Sequence, residues 1–65
     1  MMNNIRQLRE QLDISQEQLA SLADISVEEL DDIENNRTIP SLITANNIKN
    51  ALNEDFIANV FIFDD

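Results

Sequence analysis

Ser15-Gln16-Glu17-Gln18-Leu19-Ala20-Ser21-Leu22-Ala23-Asp24-Ile25-Ser26-Val27-Glu28-Glu29-Leu30-Asp31-Asp32-Ile33-Glu34-Asn35 is the stretch whose reading decides the fold. Ser15 with Gln18 three residues on has the form of a capping box, in which a serine hydroxyl accepts the third helical N–H and the residue there bonds back. Ser26 with Glu29 repeats it. The first box predicts a helix over about 16–23 with Leu19, Ala20, Leu22 and Ala23 on its buried side. The second predicts one over about 27–35 with Val27, Leu30 and Ile33 inward. Only Asp24 and Ile25 separate the first helix from the Ser26 cap of the second, so two short helices meet across a tight turn.

Outward from this pair, Ile5, Leu8 and Leu12 fall at i, i+3 and i+7 and predict a helix from Asn4 to about Leu12. On the other side, Pro40 cannot continue a helix, and Ser41 can cap a fourth with Leu42, Ala45, Ile48 and Leu52 on one face, ending near Asn53. Glu54 to Asn59 reads as one last helical turn. Val60-Phe61-Ile62-Phe63 is a β-prone apolar run too short for a helix, and is read as a strand. An unpaired apolar strand needs a partner, either Met1-Met2-Asn3 or the same segment of a second chain. The expected terminal strands are therefore about 1–3 and 60–63.

The whole chain of 65 residues makes one small domain, 1–65. At this size folding buries only about 60% of the unfolded surface, so the core is thin and dimerisation is expected. With no Cys and no His there is no disulfide framework, and the usual zinc, haem and iron–sulfur ligands are missing. No apolar run approaches the roughly 20 residues that span a bilayer, and Met1-Met2-Asn3-Asn4-Ile5-Arg6 lacks the layout of a signal peptide. A cytoplasmic protein without membrane contact is expected. Thirteen Asp and Glu against four Lys and Arg give a net charge of −9, which argues against nucleic-acid binding. Leu and Ile nevertheless recur along most of the chain, which argues for a folded domain.

Two Ser-capped helices across a tight turn make a helix-turn-helix, and the chain resembles the phage Cro and lambda-repressor family of small regulators. The matching residues are Leu8-Arg9-Glu10, Ser15-Gln16-Glu17-Gln18-Leu19-Ala20, Ile25-Ser26, Leu30-Asp31-Asp32-Ile33-Glu34-Asn35, and Pro40-Ser41-Leu42 followed by Ala45, Ile48, Ala51 and Leu52. They run in order through most of the chain. The resemblance implies an all-α fold of four to five helices with a short two-stranded β-sheet formed by the termini, as in family members that work as dimers. Such proteins often have Gly after helices two, three and four. This chain has Asp24, Asn36 and Asn53, the non-Gly types that best tolerate left-handed backbone.

The resemblance further implies that helix three enters the DNA major groove, with Val27, Glu28, Glu29 and Asp32 in the reading positions. At 100° per residue, Glu28, Asp32 and Glu29 lie about 100°, 140° and 200° from Val27. The reading face is thus a carboxylate face. One acid suits cytosine N4, but three beside phosphates repel. Glu28 and Glu29 also have a structural reading, because acids in a first turn favour the helix dipole and Glu29 completes the Ser26 box. Asp31 and Asp32 lie beyond that turn, where a solvated face is the simple account.

The cations are few. Arg6 with Glu10 and Arg9 with Asp13 are i, i+4 pairs. The resemblance instead pairs Arg9 with Glu34, tying helix one to helix three, and assigns backbone phosphate contacts to Gln16 and Arg37. Asn35, Asn36 and Thr38 offer neutral contacts beside them. Catalysis is not expected, because no base, nucleophile and oxyanion donors assemble and four short helices leave little room for a pocket. No cofactor is expected, and no metal, since Glu28 and Asp32 lack calcium-loop spacing.

Two readings remain. The first is a homodimeric regulator that binds duplex DNA through helix three and pairs through Val60, Phe61, Ile62 and Phe63, of the prokaryotic or phage kind. The second is an acidic protein-binding module on the same fold, an antirepressor or DNA mimic, offering Glu28, Glu29 and Asp32 to a basic protein surface.

Overall fold

A computed structural model describes residues 2–62. The chain forms helices α1 (Ile5–Gln11), α2 (Gln16–Ala23), α3 (Val27–Glu34) and α4 (Leu42–Ala51), then a single 3-10 turn at Ile57–Asn59. Two short strands, β1 (Met2–Asn3) and β2 (Phe61–Ile62), close the ends as an antiparallel pair with Met2 opposite Ile62 and Asn3 opposite Phe61. Met1 and Phe63 lie outside the described residues. The fold is all-α apart from this small sheet.

One core holds the elements together. Ile5 of α1, Leu19 of α2, Leu30 and Ile33 of α3, Ile48 of α4, and Leu52, Val60 and Phe61 beyond it are all fully or almost fully buried. α2 packs against both α3 and α4, and Ala20, Ala23 and Ala45 are buried with this core. Small side chains suit close helix approach, since interaxial distances of about 8–10 Å depend on the residues at the contact.

Several sequence expectations are corrected here. Leu22, Val27 and Leu42, read as inward, are 65%, 37% and 76% exposed, Val27 because it is the first residue of α3 and lies at the edge of the core. Leu22 sits roughly 60° from Leu19 around α2, on the side away from Ala20 and Ala23. Leu42 is the first residue of α4 and projects past the core. The last helical turn is shorter than Glu54–Asn59, because Phe56 has extended backbone (φ −132°, ψ 141°). Val60 is not a strand residue: its backbone is helical (φ −105°, ψ −44°), and its carbonyl accepts the Asn4 N–H at 2.8 Å.

All four helices stop in the same way. Asp13, Asp24, Asn36 and Asn53 take φ of 58°, 60°, 61° and 60°. The following N–H then reaches back five residues, from Ile14 to Arg9 O (3.1 Å), Ile25 to Ala20 O (3.0 Å), Arg37 to Asp32 O (2.8 Å) and Glu54 to Lys49 O (3.1 Å). This is the Schellman arrangement, usually built with glycine. Asp13 was missing from the expected set, since nothing but its place after α1 marks it. A left-handed residue with a Cβ costs about 1–2 kcal/mol, less for Asn and Asp, whose side chains bond locally. Replacing Asn53 by Ala is expected to lower the melting midpoint by roughly 4–8 °C, the shift that about 1 kcal/mol causes at this size. Asn53→Gly should hold the midpoint or raise it. Thermal denaturation followed by circular dichroism checks both, and an unchanged midpoint for Asn53→Ala would contradict the cap.

Candidate nucleic-acid interface

The two capping boxes differ. At α2 both halves form: the Gln18 N–H donates to Ser15 Oγ at 3.1 Å and the Ser15 N–H donates to Gln18 Oε1 at 2.8 Å. At α3 the Glu29 N–H donates to Ser26 Oγ at 3.0 Å, but among the described residues no return bond to the Glu29 carboxylate forms. Glu29 therefore does not complete its box, and its charge is left for the first turn of α3 and for whatever approaches it. Leu30 and Ile33 turn into the core, while Val27, Glu28 and Glu29 are exposed and Asp32 is half-buried. The outer face of α3 is acidic.

Inward from that face, Arg9 grips Glu34. Its Nε and Nη2 donate to the two carboxylate oxygens at 3.1 and 3.2 Å, while Nη1 donates to the Ile14 carbonyl at 3.2 Å. The Glu34 side chain is 0% exposed and that of Arg9 14%. Arg6 Nε lies 3.7 Å from the same carboxylate. Both arginines thus turn to Glu34, and among the described residues neither the Arg6–Glu10 nor the Arg9–Asp13 pair forms within 4.0 Å. For Arg9 the cause is clear, because Asp13 has left the helix at positive φ and the i, i+4 geometry no longer applies.

Three of the residues read as phosphate contacts, Gln16, Asn35 and Arg37, converge on Asp31, which the sequence places on a solvated face. Asp31 Oδ1 accepts from Gln16 Nε2 at 3.2 Å and from Asn35 Nδ2 at 3.1 Å. Its Oδ2 pairs with Arg37 Nη2 at 2.5 Å, and Arg37 Nε donates to Asp32 Oδ1 at 2.9 Å. Asn36 is used elsewhere: its Oδ1 accepts from Asn3 Nδ2 at 3.1 Å, and the same Asn3 amide donates to the Ile33 carbonyl at 3.0 Å. Thr38 is exposed on the loop after α3. One clue to Asp31 was available, its i, i+4 spacing to Asn35. Its bond to Gln16 crosses from α2 to α3 and needed the packing.

These bonds shift the titration. The Gln16 amide, followed by Arg37 and Asn35, holds the Asp31 carboxyl below its ordinary value against a smaller opposing effect of desolvation. Arg37 is raised above its ordinary value, first by the bond to Asp32 and then by Asp31. A carboxyl depressed in the folded state adds stability that is present above its unfolded pKa of about 3.9 and is lost as pH falls through the lower folded value. Asp31→Asn should therefore cost some stability at pH 6 and progressively less below pH 4. Urea midpoints of both chains at pH 6 and 3 check this, and a constant difference would contradict it.

The sequence pattern of the helix-turn-helix family matches residues 5–57, from the first residue of α1 to the 3-10 turn. The chain belongs to this family, in its Cro and lambda-repressor branch. A protein of Methanothermobacter thermautotrophicus named an uncharacterised HTH-type transcriptional regulator is 36% identical over 61 residues, covering 94% of this chain and 88% of its own.

Around the helix-turn-helix the surface differs from the acidic α3 face. A depression of about 510 Å³ between α2 and α4 is lined by Leu22, Asn47, Asn50, Ala51 and Asn53, which carry no ionisable group. At the terminal sheet, Val60 and Phe61 are spent on the helix-turn-helix core, so of the expected interface run only Ile62, with Met2 opposite, is exposed among the described residues. No helix of those residues is long and apolar enough to cross a membrane.

Proposed function

We propose that this chain is a DNA-binding transcription regulator of the cytoplasm that acts as a homodimer. The observation that carries this reading is the α2–α3 pair itself, capped by Ser15 and Ser26 and set on the core by Leu19, Leu30 and Ile33, in a chain of the helix-turn-helix family. The related protein named as a transcriptional regulator supports it. In this reading α3 enters the major groove with Val27, Glu28, Glu29 and Asp32 towards the bases, while Gln16, Asn35, Asn36, Arg37 and Thr38 face phosphates. Amide shifts from a mixed-sequence duplex titrated into isotope-labelled protein test the placement. Changes should gather at Gln16, Val27–Asp32 and Asn35–Thr38; changes confined to α1 or α4 would move the interface elsewhere.

A second copy meets the first at the terminal sheet in this proposal. Among the described residues the exposed side chains there are Met2 and Ile62, beside the buried Val60 and Phe61. Sedimentation at micromolar concentration should return a dimer for the parent chain and a monomer for Ile62→Asp, because a buried unpaired charge strongly disfavours association. A monomeric parent would remove the dimer.

One observation favours a second reading. Arg6, Arg9 and Arg37 all lie within 4.0 Å of carboxylates, so that among the described residues Lys49 is the cation without such a neighbour. An acidic module that offers Glu28, Glu29 and Asp32 to a basic protein surface would use this charge directly. Failure of the duplex titration points to that partner class.

A further inference from the structure

The donors around Asp31 form a cradle with a definite chemistry. Two carboxamide N–H groups, from Gln16 and Asn35, and one arm of the Arg37 guanidinium all point at a single carboxylate. They come from different parts of the chain. Gln16 opens α2, Asn35 follows α3, and Arg37 lies two residues further, in the loop towards α4. Carboxylate and phosphate both offer anionic oxygens that accept charge-assisted hydrogen bonds, so a cradle of donors that takes one can take the other. The cradle is also reachable, with the side chains of Arg37, Asp31 and Asp32 exposed by 56%, 43% and 48%.

We propose that the Asp31 carboxylate occupies, in the free chain, the place of the phosphate that Gln16, Asn35 and Arg37 face in the duplex-binding reading, and so regulates that oxyanion site. The inference rests on the duplex-binding reading for its natural ligand, a backbone phosphate. Asp31 acts as an internal competitor: it holds the three donors in place for an anion and must give them up when an external one arrives. Asp32 plays a smaller part by holding the other arm of Arg37. In a chain whose other arginines already serve Glu34, release of Arg37 is the main route to a new positive contact.

The test compares three variants, Asp31→Asn, Asp31→Ala and Asp55→Asn, with the parent on one labelled mixed-sequence duplex over a salt series. Each removes one negative charge, and exposed Asp55 lies outside the cradle. The Asp31 variants should bind about tenfold tighter than Asp55→Asn, the size of one charge-assisted hydrogen bond. Their log–log salt slope should steepen by about 0.9, the mark of one more phosphate. Adding Arg37→Gln should abolish the gain. Equal affinities for the Asp31 and Asp55 variants, with a binding parent, would overturn the inference and leave the duplex reading standing. Nitrogen resonances of Arg37 Nε and the Gln16 amide, followed in Asp31→Asn during titration with inorganic phosphate, give a readout independent of DNA. Saturable shifts there without duplex binding support the oxyanion site and make free phosphate its ligand, against the proposed function. No shift and no duplex binding would overturn both.

Discussion

Glu34→Ala is expected to leave the chain largely unfolded in dilute buffer. The substitution strands the Arg9 guanidinium, whose side chain is 14% exposed and whose Nε and Nη2 both depend on Glu34. Removing one partner of a buried ion pair typically costs about 3–5 kcal/mol. At roughly 0.05–0.15 kcal/mol per residue, a domain of this size has about 3–10 kcal/mol in all, so the loss takes much or all of it. The same pair joins α1 to the end of α3, and its rupture would also loosen the anchor of Arg9 on the Ile14 carbonyl. Arg9→Lys should fail nearly as badly, because an ammonium cannot reproduce the two-pronged contact. The double change of Arg9 and Glu34 to Met should be far milder than either single one, since the only charge it leaves behind there among the described residues is the exposed Arg6. Urea unfolding followed by circular dichroism measures all of these, and a Glu34→Ala midpoint close to the parent's would contradict the role of the pair.

The second large effect is on binding. Glu28→Lys with Glu29→Lys should raise affinity for a mixed-sequence duplex by more than an order of magnitude at low salt. Both carboxylates stand exposed on the first turn of α3, and among the described residues neither has a hydrogen-bond partner or ion pair that would retain it in a folding role. A unit charge about 8 Å from a phosphate interacts by roughly 2 kcal/mol at an effective dielectric near 20. Each reversal changes a repulsion into an attraction of similar size, so even heavy screening leaves a factor above ten. The gain should shrink as salt rises. The helix should pay a little for the change, because lysines at a helix N-terminus oppose the dipole by about 0.3–1 kcal/mol each. Unchanged affinity at low salt would place the duplex away from this face.

Much of the architecture was legible because local chemistry specifies it. Ser15, Ser26 and Ser41 each accept the backbone N–H of the residue three places on, as their sequence spacing suggests. Helix ends were readable where Asp24, Asn36 and Asn53 stand, and Asp13 escaped because its only mark is its position after α1. Leu22 and Leu42 were misplaced for a different reason: periodicity finds a stripe but not its width, and a core this small covers only part of it. The candidate site was less legible than the fold. The family resemblance singled out Gln16 and Arg37, with Asn35 as a neutral neighbour, and helical spacing placed the acids of α3 on one face, all as separate features. Their meeting at Asp31 depends on α2 packing against α3, which brings Gln16 to a residue fifteen places away in the chain. The half-formed box at Ser26 was equally hidden, because whether the Glu29 side chain folds back is a choice among rotamers.

The measurement that bears most directly on the account is fluorescence anisotropy of a labelled mixed-sequence duplex, titrated with the protein at about 20 mM and then about 150 mM salt. Phosphate contacts release counterions, so a protein that uses them binds more tightly as salt falls. A duplex-binding α3 predicts weak saturable binding at low salt that fades at high salt, with a shallow slope because the three arginines already lie beside carboxylates. No binding at either salt would contradict a duplex-binding role for α3 and leave its acids to a basic protein partner.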